Sequence, residues 1–110
     1  MRQRLARDIV CLDVLTMSSP PAVSIILPAY NSAAFLAVTL SSIYAQDFGD
    51  YEIIVIDDGS TDATSRICEQ QGGRIRLVRQ DNQGIAESRN TGIRHALGRY
   101  IAFIDHDDYW

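Results

Sequence analysis

Apolar positions along this chain fall into short unbroken runs and longer stretches with helical spacing. Residues 23–27 (VSIIL) and 51–56 (YEIIVI) are short and mainly β-branched, which predicts central strands buried on both faces. Residues 74–79 (RIRLVR) alternate instead, predicting a strand nearer an edge with Ile75, Leu77 or Val78 turned inward. Residues 100–104 (YIAFI) form a fourth run, read as a buried strand. Between the first two runs Phe35, Leu36, Leu40, Ile43 and Tyr44 recur at helical spacing. They predict a helix over 33–46, capped by Asn31 or Ser32, and Gly49 closes that unit. A second helix is expected from a Ser60 or Thr61 cap as far as Gln71, where Gly72 and Gly73 stop it. A third is expected over 85–97, ended by Gly98.

The order is β-α-β-α-β-α-β with short connections. It predicts an α/β domain with an open, mainly parallel, Rossmann-like sheet over residues 22–110. Residues 1–21 read as an N-terminal extension. Leu5, Ile9, Leu12 and Leu15 line one face of a short helix that Ser18, Ser19, Pro20 and Pro21 would end. A weakly ordered tail, or a start at Met17, fits those residues equally well.

Sheets of this kind bind ligands outside the carboxyl ends of their strands, where the strand order switches. Those ends carry Pro28–Asn31, Asp57-Asp58, the 81–84 turn and Asp105–Asp108. Tyr30 beside Asp57 and Asp58 suits a nucleotide, with the ring against the base and a carboxylate accepting from base or ribose. A packing tyrosine plus a helix-capping Asp would read the same. No GxGxxG is present, so the dinucleotide fingerprint is absent. Asp105, Asp107 and Asp108 place three carboxylates within four residues, where mutual repulsion and desolvation favour a bound cation. Oxygen ligands suit Mg²⁺ or Mn²⁺; a solvated acidic turn is the plainer alternative, and zinc through His106 has only His95 as a second imidazole. Arg89 in the third helix either reaches a phosphate or pairs with a pocket carboxylate; a surface pair with Glu87 or Asp62 is the other reading.

Composition narrows the chemistry. The 110 residues are 46% hydrophobic and 22% charged, enough for one domain with a real core. A net charge of −4 gives no basic surface for nucleic acid or anionic lipid. All ten basic residues are arginine, which excludes mechanisms needing a catalytic, Schiff-base or phosphate-loop lysine. Cys11 and Cys68 have no metal or redox spacing and read as reduced thiols of a cytosolic protein, Cys68 packed in a helix. The charge-free stretch between Asp13 and Asp47 is broken by Pro20, Pro21, Pro28, Asn31 and serines, so no membrane span is predicted. A signal peptide is not expected, because Asp8 and Asp13 interrupt the N-terminal apolar patch.

Taken together, VSIILPAYN, SIYAQDFGDYEIIVIDDGSTD, NQGIAESRNTGI and GRYIAFIDHDDYW resemble the nucleotide-binding half of a family-2 glycosyltransferase of the GT-A fold. The resemblance runs over residues 23–110, about four-fifths of the chain. It implies that Pro28 and Tyr30 line the nucleobase pocket and that Asp57 and Asp58 contact uracil and ribose. Arg89 matches the arginine of the family's A-R-N-x-G segment near the donor, with Ser88 in place of the usual alanine. Asp105-His106-Asp107 matches the DXD motif, with Asp107 as the expected metal ligand and Asp105 and Asp108 supporting the metal or the donor sugar.

The implied activity is an inverting, Mn²⁺- or Mg²⁺-dependent transfer from a nucleotide-sugar, UDP-linked, to a glycan or lipid-linked acceptor. The implied setting is the cytoplasm, at the inner face of the membrane for the whole enzyme. The acceptor half and its catalytic base have no counterpart in these residues, so the chain is expected to bind the donor and to be inactive alone. Two other classes compete. A signalling receiver domain shares the β/α alternation and acidic strand ends but requires a lysine. A non-catalytic nucleotide-binding remnant would share every motif.

Overall fold

A computed structural model describes residues 20–105. Four strands, β1 (Val23–Ala29), β2 (Tyr51–Asp57), β3 (Ile75–Arg79) and β4 (Tyr100–Phe103), alternate with three helices, α1 (Leu36–Tyr44), α2 (Thr64–Glu69) and α3 (Ile85–His95). The sheet is wholly parallel, in the order β3-β2-β1-β4. Strand order therefore reverses between β1 and β4, as the Rossmann-like reading requires.

The two β-branched runs are central, as predicted. Ile25, Ile26, Leu27, Ile53, Ile54, Val55 and Ile56 are all essentially inaccessible, and each such side chain contributes about 1.5–3 kcal/mol by leaving water. One face packs on Leu36, Leu40, Ile43 and Cys68 from α1 and α2. The other face holds Ile26, Ile54 and Ile56, with Val78 and Ala96 against them. Gly92 lets α3 lie directly on this second face, since a Cβ there would sit 2.4 Å from Cγ2 of Ile26.

β1 runs two residues past its predicted end, through Pro28, which a central strand normally excludes. The carbonyl of Ile26 accepts from the Ile104 amide on the β4 side, so Pro28, two residues on, turns its missing N–H to the same side. β4 pairs with β1 only as far as Ile26, and one terminal bond is all the proline removes.

Three expectations need correction. β4 is not buried: Tyr100, Ile101 and Phe103 are exposed at the sheet edge, and only Ile104 beyond them enters the core. Both early helices start late and without their predicted caps. Residues 31–33 instead bond to the 60–64 turn: Asn31 N–H donates to Ser60 Oγ, Ser32 N–H to Thr64 Oγ1, and Ala33 N–H to Asp62 Oδ2, while Asn31 Oδ1 accepts from Thr61 N–H. Asn31 takes φ of 48° to make that turn, so the first helical turn is not reached until Leu36. Phe35, expected on the inner face, is exposed.

Candidate functional site

The carboxyl ends of the strands carry two groupings joined by α3. Alternation along β2 sends Asp57 and Asp58 to opposite faces. Asp57 continues the face of Ile53 and Val55 and is fully buried. Its Oδ1 accepts from Ser60 N–H. Its Oδ2 lies 3.3 Å from Arg79 Nε without hydrogen-bond geometry and has no other partner among the described residues.

Asp58 faces α3 and is 4% exposed. Its Oδ1 accepts from Gln83 N–H at 2.8 Å and from Gln80 Nε2 at 2.9 Å, and its Oδ2 from Gly84 N–H at 2.9 Å. Burial works to raise this carboxyl, but the bonds from Gln80, Gln83 and Gly84 prevail and hold it below its ordinary value. Gln80 is itself gripped by Thr91 of α3, whose hydroxyl donates to Oε1. Asp58 thereby fastens the amino end of α3, where N–H groups would otherwise lack partners. Gly59 makes the approach possible: its φ is 81°, and a Cβ would meet the Asn82 amide nitrogen at 2.9 Å.

Pro28, Ala29, Tyr30, Asp58, Ile85 and Ser88 surround a cavity of about 70 Å³. Typical ligand pockets enclose about 300–1,000 Å³, so these residues form an open shelf. Tyr30 offers a ring that is 47% exposed. A carboxylate has about four acceptor positions; among the described residues three of Asp58's are taken, which leaves one on Oδ2 for a ligand N–H or O–H.

The second grouping lies one residue further along α3. Arg89 Nη2 is 3.2 Å from Asp105 Oδ1, and the guanidinium lies 5.5 Å from the Phe103 ring centroid. Arg89 is therefore paired with Asp105 and not with Glu87, which pairs with Arg94. Arg89 Nε is buried with no acceptor among the described residues. Both side chains of the pair are roughly half exposed, which leaves them reachable.

Pro28, Tyr30 and Asp58 thus come together, as do Arg89 and Asp105, whereas Asp57 is turned away. Asp107 and Asp108 lie outside the described residues. Among those described, no three potential metal-binding side chains cluster, and Asp105 is the one member of the acidic run in place. Mg²⁺ and Mn²⁺ are commonly held by one or two carboxylates with waters and phosphates, so Asp105 fits such a site as one participant. Sequence reasoning missed Gln80, Ile85 and the backbone of Gln83. The 81–84 turn at a strand's carboxyl end was the available signal, but not which side chains it would meet. Ser88, noted for replacing alanine, is buried and donates to the Gly84 carbonyl.

An apolar cavity of about 210 Å³ sits at the opposite end of the sheet, between Val23, Ile25, Ile43, Gln46, Phe48 and Tyr51. It shares no residue with either grouping. No described helix is long and apolar enough to cross a membrane.

Residues 24–110 match the sequence profile of Glycosyl transferase family 2. One relative, the Escherichia coli UDP-Glc:alpha-D-GlcNAc-diphosphoundecaprenol beta-1,3-glucosyltransferase WfgD, is 40% identical over 90 residues, 80% of this chain and 36% of WfgD. Staphylococcus aureus TarS (residues 1–349), solved in complex with UDP-GlcNAc, superposes with a TM-score of 0.76 at 33% identity, covering 80% of this chain and 27% of that one. The mannosyltransferase PcManGT from Pyrobaculum calidifontis, solved with GDP-Man and Mn²⁺, gives a TM-score of 0.74 at 33% identity, covering 83% and 29%. The chain spans about a third or less of the length of these proteins.

Proposed function

This chain belongs to glycosyl transferase family 2, and from that premise we propose that it is the donor-binding part of an inverting, divalent-metal-dependent glycosyltransferase. We take the donor to be a UDP-sugar and the acceptor a glycan or lipid-linked sugar. The observation that carries this reading is the joint placement, along one helix, of the Tyr30–Asp58 shelf and the Arg89–Asp105 pair. A base fits the first, and the diphosphate of the same molecule fits the second.

In this reading Tyr30 offers its exposed ring to the base, against Pro28. The free acceptor position of Asp58 takes a base or ribose hydrogen. Arg89 is the cationic contribution beside the diphosphate. Asp105 orients Arg89 and shares in holding the cation, together with Asp107 as principal ligand and Asp108 behind it. Bound there, Mg²⁺ or Mn²⁺ would neutralise charge developing on the departing diphosphate. No catalytic base is assigned to these residues. We place the enzyme in the cytoplasm, at the inner membrane face for a lipid-linked acceptor.

The complexes of TarS with UDP-GlcNAc and of PcManGT with GDP-Man and Mn²⁺ support nucleotide-sugar binding and metal use. The name of WfgD supports a UDP donor and a lipid diphosphate acceptor. Calorimetric titration with UDP and with GDP, each with and without Mn²⁺, tests the proposal. We expect UDP to bind more tightly than GDP and only when Mn²⁺ is present. Equal binding without metal, or none to folded protein, would overturn it.

A further inference from the structure

At the amino end of the sheet, far from either grouping, lies a polar hub that no ligand chemistry explains. Ser24 of β1 is paired with Glu52 of β2 on the face that carries α3, and Arg76 of β3, in register with Ile54, reaches Glu52 diagonally across that face. Ser24 is wholly buried, and its hydroxyl donates to Glu52 Oε2. The same carboxylate oxygen accepts from the Leu97 amide at 2.7 Å. Ser24 Oγ in turn accepts from the Gly98 amide at 2.8 Å. Arg76 bonds Glu52 Oε1 at 2.8 Å and also donates to the His95 carbonyl at the end of α3. Glu52 therefore ties adjacent strands to the short link between α3 and β4. A Cβ at Gly98 would fall 2.6 Å from the Ser24 amide nitrogen, so the link lies directly on β1.

We infer that Glu52 is a positioning residue: by fixing Leu97 and Gly98 against Ser24 it sets the register of β4, and hence where Asp105 arrives beside Arg89. β4 needs such a device. It is four residues long, borders a single strand, and exposes Tyr100, Ile101 and Phe103. Its apolar contacts alone define register poorly. A slip of one residue would carry Asp105 about 3.3 Å along the strand and turn it to the other face. The 3.2 Å contact with Arg89 would not survive that. The amides of Tyr100 and Ile104, bonded to the carbonyls of Ala22 and Ile26, report the register directly. The consequence for donor binding rests on the donor-site reading above; the register itself does not.

The test is residue-resolved amide hydrogen exchange on the ligand-free chain of 110 residues. We expect Glu52→Ala to lower protection of the Tyr100 and Ile104 amides by about tenfold or more. The Asp58 amide, bonded to Ala29 across β1 and β2, should keep its protection. Glu52→Gln retains an oxygen for Leu97 and Ser24 and should restore most of the β4 protection. Glu52→Asp, one methylene shorter, should not. If Glu52→Ala does not fold, Ser24→Ala and the Gln/Asp pair decide between the same outcomes. A uniform loss of protection over all strands, or β4 protection unchanged in Glu52→Asp, would overturn the inference. Failure of the wild-type chain to bind UDP would sink the donor reading and leave the exchange result standing.

Discussion

The carboxyl ends of β2 and β4 both present aspartates, yet the fold treats them in opposite ways. At β2 the carboxylates are enclosed: Asp57 is fully buried and Asp58 nearly so, with three protein N–H donors on the Asp58 oxygens. At β4 Asp105 stays roughly half exposed, with one 3.2 Å ion pair among the described residues, to an equally exposed arginine. A buried carboxylate gripped by three protein donors, as Asp58 is, is structural first, because removing it strands those donors. A half-exposed pair adds little to stability, so its geometry is free to serve a ligand. Stability and ligand binding should therefore separate between the two ends.

The largest effect should come from Asp58→Ala, which leaves Gln80, Gln83 and Gly84 without their acceptor and unfastens α3. We expect a loss of about 3 kcal/mol or more in chemical denaturation. Gly92→Ala should follow: its Cβ would collide with Ile26, costing about 1–3 kcal/mol through overpacking. Because it disturbs the seat of α3 without touching a carboxylate, it separates helix position from charge.

Acid should act on the three carboxylates that hydrogen bonds hold down, of which Asp58 belongs to the enclosed end. Hydrogen bonds outweigh burial at Glu52 and Asp58, and the Thr64 hydroxyl leads at Asp62, so all three carboxyls are held below their ordinary values. The folded state then binds fewer protons than the unfolded one across the carboxylate range. The stabilisation is complete above the unfolded value, about 4, and is lost as pH falls through the depressed folded values. Denaturation midpoints taken from pH 7 down to pH 3 should fall, and Asp58→Asn should flatten that fall.

The smallest stability effect should be that of Arg89→Ala, at most about 1 kcal/mol for a half-exposed pair. It should nonetheless weaken UDP binding more than any change at the β2 end that leaves α3 in place.

The same contrast explains what was legible in the sequence. The strands and their alternation with helices were readable because β-branched runs such as IIVI have few other ways to be buried. The 31–33 turn was not, because its partners lie about 30 residues away in the 60–64 turn and its backbone bonds pre-empt the local caps. The exposure of Tyr100, Ile101 and Phe103 was also hidden, since an apolar run records preference for burial but not what covers an edge. Pro28, Tyr30, Asp58 and Asp105 were singled out by their place at strand ends and Arg89 by its place in the third helix, and the family resemblance supplied their expected roles. The donors that occupy Asp58 were not, being a glutamine and two backbone amides that carry no motif. That Asp57 and Asp58 part company follows from strand alternation, once β2 is known to extend through Asp57.

The separation of the two ends is tested most directly by measuring Asp105→Asn and wild type side by side, for denaturation midpoint and for Mn²⁺-dependent UDP affinity. We expect stability to change by less than about 1 kcal/mol, while UDP affinity falls by about tenfold or more. Unchanged affinity, or a stability loss as large as that of Asp58→Ala, would contradict the division of roles between β2 and β4.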